Sequence, residues 1–252
     1  MPAGLPVVPW SPWLGLVFGF AVFYAAQVLA GLAVSIYPLF RHWTNAQAVD
    51  WLNGSVPGQF VFIFIAETLS IAAIYLFLKR RYRLDLSAIG LKRPRWIDGI
   101  YGLSAVVPYF VLYALTVGVV SNLVHGLDVD QAQEIGFKAV NGGLQLTLTF
   151  ISLVVLPPLA EEILVRGFLY STLKKALPTL SAVLLTSALF AAAHLQEGGS
   201  AGLLWIGALD TFVLSLVLIY LREKTGSLWA SITLHAIKNG VAFISLFILH
   251  AR

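Results

Sequence analysis

The sequence predicts an all-α, polytopic integral membrane protein with about seven transmembrane helices, eight being the alternative count. Three observations carry that prediction. Of 252 residues, 59% are hydrophobic and only 11% charged, which lies outside the range of soluble domains. Several apolar runs reach the length of about twenty residues that a helix needs to cross a bilayer. The basic residues lie mostly in loops between those runs, where they act as topology signals. The formal net charge of +4 is therefore not a nucleic-acid footprint, and no nucleic-acid partner is expected. The chain has no cysteine, which removes disulfides, thiolate nucleophiles and cysteine-ligated zinc together.

The first span is read over Pro12 to Phe40, entered through Trp10 and Trp13, residues of the kind that collect at headgroup level. The first forty residues carry no charge, so the positive region of a cleavable signal peptide is not expected there. Gly15 and Gly19 match the small-residue packing motif of membrane helices. A polar loop with Arg41, His42, Trp43, Asp50 and Trp51 leads to a second span, about Gln59 to Leu78, which carries one acid, Glu67. The third span, about Ile100 to Val124, contains Pro108, which implies a kink rather than a break. Leu84 to Arg93 is a candidate short interfacial helix with Gly90 near its end. Spans four to seven are read at about Leu144 to Tyr170, Thr179 to Leu195, Ala201 to Leu221 and Leu228 to Leu249. No internal repeat or linker divides the chain, so residues 1–252 are read as one membrane domain.

Orientation follows from the loops. Lys79, Arg80, Arg81, Arg83, Lys92, Arg93 and Arg95 are opposed only by Asp85 and Asp98, which marks that loop as cytoplasmic. The next loop, with Asp128, Asp130 and Glu134 against Lys138, is expected outside, as is the turn Gln196 to Ser200. Alternation then places Lys174, Lys175, Arg222 and Lys224 inside, together with the N-terminus. The expected location is a bacterial cytoplasmic membrane.

Polar residues inside the spans are where chemistry is expected, because an acid near the bilayer centre costs ~2.5–3.5 kcal/mol on insertion scales. Glu161 and Glu162 stand side by side at the end of the charge-free run Leu144 to Ala160. Glu162 and Arg166 share a helix face in the favourable acid-before-base order. Glu161 points about 100° away from that pair, and no base stands one turn after it. In span five, Ser187, Phe190 and His194 share a face; in span seven, His235 and Asn239 do. Asp210 in span six is a further intramembrane acid. At about 1.5 Å per residue, Glu161 lies roughly 20 Å before Lys174, and His194 roughly 24 Å beyond Pro178. His235 and Asn239 lie roughly 12 and 18 Å beyond Ser227 by the same measure. These groups can share a layer near mid-depth, unless the helix breaks at Gly167 and moves the glutamates away. Two carboxylates, two histidines, an arginine and an asparagine at one depth suit amide hydrolysis: a carboxylate and an imidazole deprotonate a water, and donors receive the oxyanion. The bland alternative is a set of hydrogen-bond staples between helices.

Glu161-Glu162-x-x-x-Arg166, Phe190-x-x-x-His194 and His235-x-x-x-Asn239 resemble the three motifs of the CPBP family. That family groups CAAX-type prenyl endopeptidases with bacteriocin-processing and abortive-infection proteins. Thr225-Gly226-Ser227 matches the turn that opens the family's last motif helix. The resemblance covers about residues 145 to 245. It implies an intramembrane endopeptidase in which Glu161 and His194 activate water, His235 and Asn239 stabilise the oxyanion, and Glu162 and Arg166 support the site. Members are described both as metalloproteases and as metal-independent glutamate proteases. The expectation is catalysis without a metal, since no His-Glu-x-x-His pair stands on one helix. A zinc alternative would use Glu161, His194 and His235. The expected partners are a membrane-associated protein or peptide substrate and the bilayer itself. The competing reading is a non-enzymatic membrane protein, a transporter or a partner-binding or immunity protein, whose polar cluster is structural. A transporter would more often show paired repeats, which the sequence lacks.

Overall fold

A computed structural model describes residues 7–131, 136–137, 140–195 and 202–249. Among these residues six helices are long and apolar enough to cross a membrane, and one shorter apolar helix joins them. In chain order the elements are α1 Pro12–Phe40, α2 Asn45–Gly54, α3 Val56–Tyr82, α4 Trp96–Ser104 and α5 Val106–Leu123. There follow α6 Gly143–Ala176, α7 Thr179–Ala193, α8 Trp205–Thr225 and α9 Trp229–Ile248. The helices α4 and α5 together form one membrane-crossing rod, so seven apolar segments occupy the positions read from the sequence. Glu134, Lys138 and the Gln196–Ser200 turn lie outside the described residues.

Local chemistry explains the details that the hydrophobic pattern did not resolve. The polar loop after α1 folds into α2 because Thr44 caps it reciprocally with Gln47, a capping box. The Pro108 kink is realised as an interruption at Ala105, just before α5, where the ring would otherwise crowd the carbonyl four residues back. The interfacial helix expected over Leu84 to Arg93 shrinks to one 3₁₀ turn, Leu86–Ile89, closed by Gly90 at φ +103°. Gly167 does not break α6. It sits where an added Cβ would lie 3.1 Å from Ile89, so glycine there permits close approach and not a turn.

The two glycines of α1 serve the packing suggested for them. A Cβ at Gly15 would lie 2.5 Å from Thr172, and one at Gly19 would strike Leu169, so α1 lies directly on α6. Trp10 departs from the sequence reading. It is only 1% exposed, stacks on Phe168 at 4.9 Å and donates its indole N–H to Thr172 Oγ1 at 2.8 Å, whereas Trp13 is 79% exposed. A tryptophan whose indole N–H finds a buried acceptor gains more from the core than from the interface.

The basic clusters gather at one end of the bundle. Lys174 pairs with Glu223, Arg95 donates to the Thr225 carbonyl, and Arg222 donates to the Ile89 carbonyl at 2.9 Å. Lys175 donates to the Trp10 carbonyl at 2.7 Å, which brings the start of α1 to the same end. Asp98, fully buried, is held by Arg95 through two guanidinium nitrogens and anchors the entry to α4. The sequence grouped these loops on one side, and their contacts agree.

Candidate active site

The site is built around α6, and α6 owes its shape to two prolines. It carries π-helical stretches at Ile151–Val155 and Glu162–Leu169. Pro157 and Pro158 remove the two N–H groups that would reach the Leu153 carbonyl in α or π geometry. A carbonyl left bare inside a membrane protein must find another donor. Asn239 supplies it: its side-chain amide donates to Leu153 O at 2.9 Å, tying α9 to α6. Asn239 was read as an oxyanion donor; one of its two amide hydrogens is spent as a helix staple. The other remains available to the cavity that Asn239 lines.

Downstream of the prolines, Glu162 and Arg166 form the pair expected from their spacing. Arg166 Nη1 donates to Glu162 Oε1 at 2.9 Å, and both side chains are fully buried. The guanidinium also lies 4.1 Å above the Phe190 ring of α7, a cation–π contact in a desolvated setting. Phe190 is a hub, since His194 packs edge-on against it at 4.6 Å and His235 at 6.2 Å.

The relation between the two glutamates differs from the helical-wheel reading. Glu162 Oε1 also meets His235 Nδ1 at 3.0 Å, while His235 Nε2 lies 3.8 Å from Glu161 Oε2. Adjacent residues do diverge along α6, but the imidazole stands between them and presents one nitrogen to each. Because Glu162 already accepts from a guanidinium, it accepts again from His235, so Nδ1 carries a hydrogen. Nε2 then faces Glu161 across a gap too long for a direct hydrogen bond and suited to a bridging water.

His194 reaches this layer because α7 is short. Fifteen residues rise roughly 22 Å, less than the ~30 Å hydrocarbon core, so the residue that ends α7 sits within the membrane's thickness. His194 Nδ1 lies 2.8 Å from the Phe190 carbonyl, which can only accept. Nδ1 therefore carries the hydrogen, and Nε2 is left as the acceptor in the neutral ring.

Two cavities meet at these groups. One, about 220 Å³, is lined by Glu161, His194, His235 and Asn239 with Asp210 and Lys238. The other, about 340 Å³, lies between α1, α3, α6 and α7 and also reaches Glu161 and His194. Asp210 is not isolated: it pairs with Lys238 at 3.0 Å and accepts a hydrogen bond from Tyr109. Lys238 and Tyr109 were not singled out as site residues; the signal available was an ammonium three residues after His235 inside an apolar span. Ser187 is fully buried on the helix face expected of it, away from both cavities.

The zinc alternative would need Glu161, His194 and His235 to converge on one point. Among the described residues no three of His, Cys, Asp and Glu are grouped as a metal ion's ligands would be. Glu161, His194 and His235 do not fit a zinc ion as placed, and no step below runs through a metal.

Compared with known proteins, residues 143–241 match the family model for Rce1-like type II CAAX prenyl endopeptidases. That segment contains all three motifs, and it is the CAAX-type hydrolase group they resemble. No curated protein matches the chain, and no solved structure does.

Proposed function

We propose that this protein is an intramembrane endopeptidase that hydrolyses a peptide bond of a membrane-associated protein or peptide. The observation that carries the reading is that Glu161 and His194 line both cavities, with His235 Nε2 3.8 Å from Glu161 in the smaller one. A substrate chain lying along these cavities would place its carbonyl beside a water held by these three groups.

In this reading Glu161 takes a proton from the water as the water attacks the carbonyl carbon. The Nε2 lone pair of His194 orients the water's other hydrogen. The oxyanion receives hydrogen bonds from the second amide hydrogen of Asn239 and from His235, which enters the step with a proton from solvent already on Nε2. Glu162 supports that charge on His235 from the far side, and Arg166 holds the Glu162 carboxylate in place through its own hydrogen bond. The carbon–nitrogen bond then breaks as Glu161 passes its proton to the leaving nitrogen, and the new carboxyl group gives its remaining proton to the freed amine, leaving a carboxylate. The mechanism needs no metal. The basic end of the bundle, with the start of α1, faces the cytoplasm by the positive-inside rule.

The test is release of peptide from a panel of membrane-anchored substrates, prenylated and not, by the native protein in ¹⁸O-labelled water. One labelled oxygen in the new carboxylate of the product is expected. Absence of cleavage across the panel would overturn the assignment.

A further inference from the structure

The larger cavity contains an acid for which the reaction has no use. Glu67 stands near the middle of α3 and lines the 340 Å³ cavity. It makes no hydrogen bond or ion pair among the described residues. Around it the wall is mainly apolar, with Phe20 and Phe23 from α1, Leu164 from α6 and Leu189 from α7, and the lining residue Tyr24 is exposed at the surface. A carboxyl at this depth is costly, and such groups usually pair or mark the path of a substrate. Apart from Glu161, which the reaction uses, the intramembrane acids Glu162 and Asp210 pair with Arg166 and Lys238. Glu67 is the acid whose counter-charge has a place to come from outside, since Tyr24 and Phe20 of its cavity are exposed at the surface and the same cavity reaches Glu161 and His194.

We propose that this cavity is a side-chain subsite for a basic residue of the substrate, lysine or arginine. Its apolar stem lies among Phe20, Phe23, Leu164 and Leu189, and its cationic tip meets the carboxyl of Glu67. The shape suits these residues, whose methylene stems cover apolar surface while the charged head seeks a polar partner. A volume of 340 Å³ accommodates one long side chain, not a folded segment. This assignment deepens the endopeptidase reading and rests on it, because the cavity ends at the groups proposed to act on the peptide bond. Glu67 then sets which sequences are cut and takes no part in the bond-breaking step.

The experiment uses the full chain in lipid nanodiscs and membrane-anchored fluorescent peptides that differ at one position at a time, lysine against norleucine. Binding is read by anisotropy and cleavage by product release, on the native protein and on Glu67→Gln and Glu67→Lys. At one position the native protein should favour lysine by about tenfold or more in binding, the scale of a desolvated charge pair. Glu67→Gln should bring the two peptides within about twofold, and Glu67→Lys should favour a glutamate at that position. No lysine preference at any position, or a preference that survives Glu67→Gln, overturns the subsite. If lysine preference in binding depends on Glu67 but no peptide is cut, the subsite stands and the endopeptidase reading falls.

Discussion

Replacing Glu162 by alanine is the perturbation whose consequence the structure defines most fully. Its Oε1 is shared by Arg166 Nη1 at 2.9 Å and His235 Nδ1 at 3.0 Å, and the Glu162 and Arg166 side chains are wholly buried. Arg166 has no other hydrogen-bond partner for Nε and Nη2 among the described residues, so loss of the carboxylate strands a buried guanidinium with the Phe190 ring as its remaining direct contact and no hydrogen-bonded counter-charge. Breaking a buried pair in this way costs roughly 3–5 kcal/mol. The cation–π contact, worth about 2 kcal/mol when desolvated, is already present and does not grow to compensate. Glu162→Ala should therefore lose roughly 3–5 kcal/mol in reversible unfolding measured in mixed micelles. Hydrolysis should fall with it, because His235 loses the group that fixes its orientation. The double variant Glu162→Gln with Arg166→Met removes the stranded charge and should regain most of the stability without regaining activity. A loss below about 1 kcal/mol for Glu162→Ala, the range of an exposed pair, would refute the buried-pair account.

Other consequences are testable in the same system. A cysteine in place of exposed Ser87 should label only from the cytoplasmic side, and one in place of exposed Asp128 only from the other; the reverse pattern would invert the orientation. Chelators should leave hydrolysis intact, and purified protein should carry no stoichiometric metal; activity lost to chelation and restored by zinc would transfer the water to a metal. Asn239→Ala should slow turnover by on the order of 10²–10³, as for a lost oxyanion donor. It should also cost about 1–3 kcal/mol for the bare Leu153 carbonyl. Adding Pro157→Ala to Asn239→Ala returns an N–H to that carbonyl and should recover stability but not rate; recovery of both would make Asn239 a staple alone.

What the sequence disclosed depended on whether a contact lies within one helix or between helices. The spans were legible because lipid requires long apolar helices, and the Glu162–Arg166 pair because both partners sit one turn apart. The bridge from Glu162 to His235 joins residues 73 apart, and no spacing rule encodes it. The burial of Trp10 likewise depends on Thr172, on a helix far along the chain. Asn239 was ambiguous for a better reason. Its partner is a backbone carbonyl, and the clue was the consecutive prolines Pro157 and Pro158, which erase the donors that carbonyl needs. Glu67 was visible as a lone acid in a span, but the cavity beside it comes from four helices and appears only in three dimensions.

The most direct test of the central claim is Glu161→Gln, which keeps the side chain's size and hydrogen-bonding capacity and removes the base. Unlike Glu162, Glu161 is partly exposed, at 25% of its side chain, to the cavities it lines, so its neutral replacement leaves no buried charge stranded. The variant should unfold at the native denaturant concentration in detergent, bind substrate peptides as the native protein does, and release almost no product. Cleavage near the native rate by Glu161→Gln would contradict the assignment of Glu161 as the group that activates water.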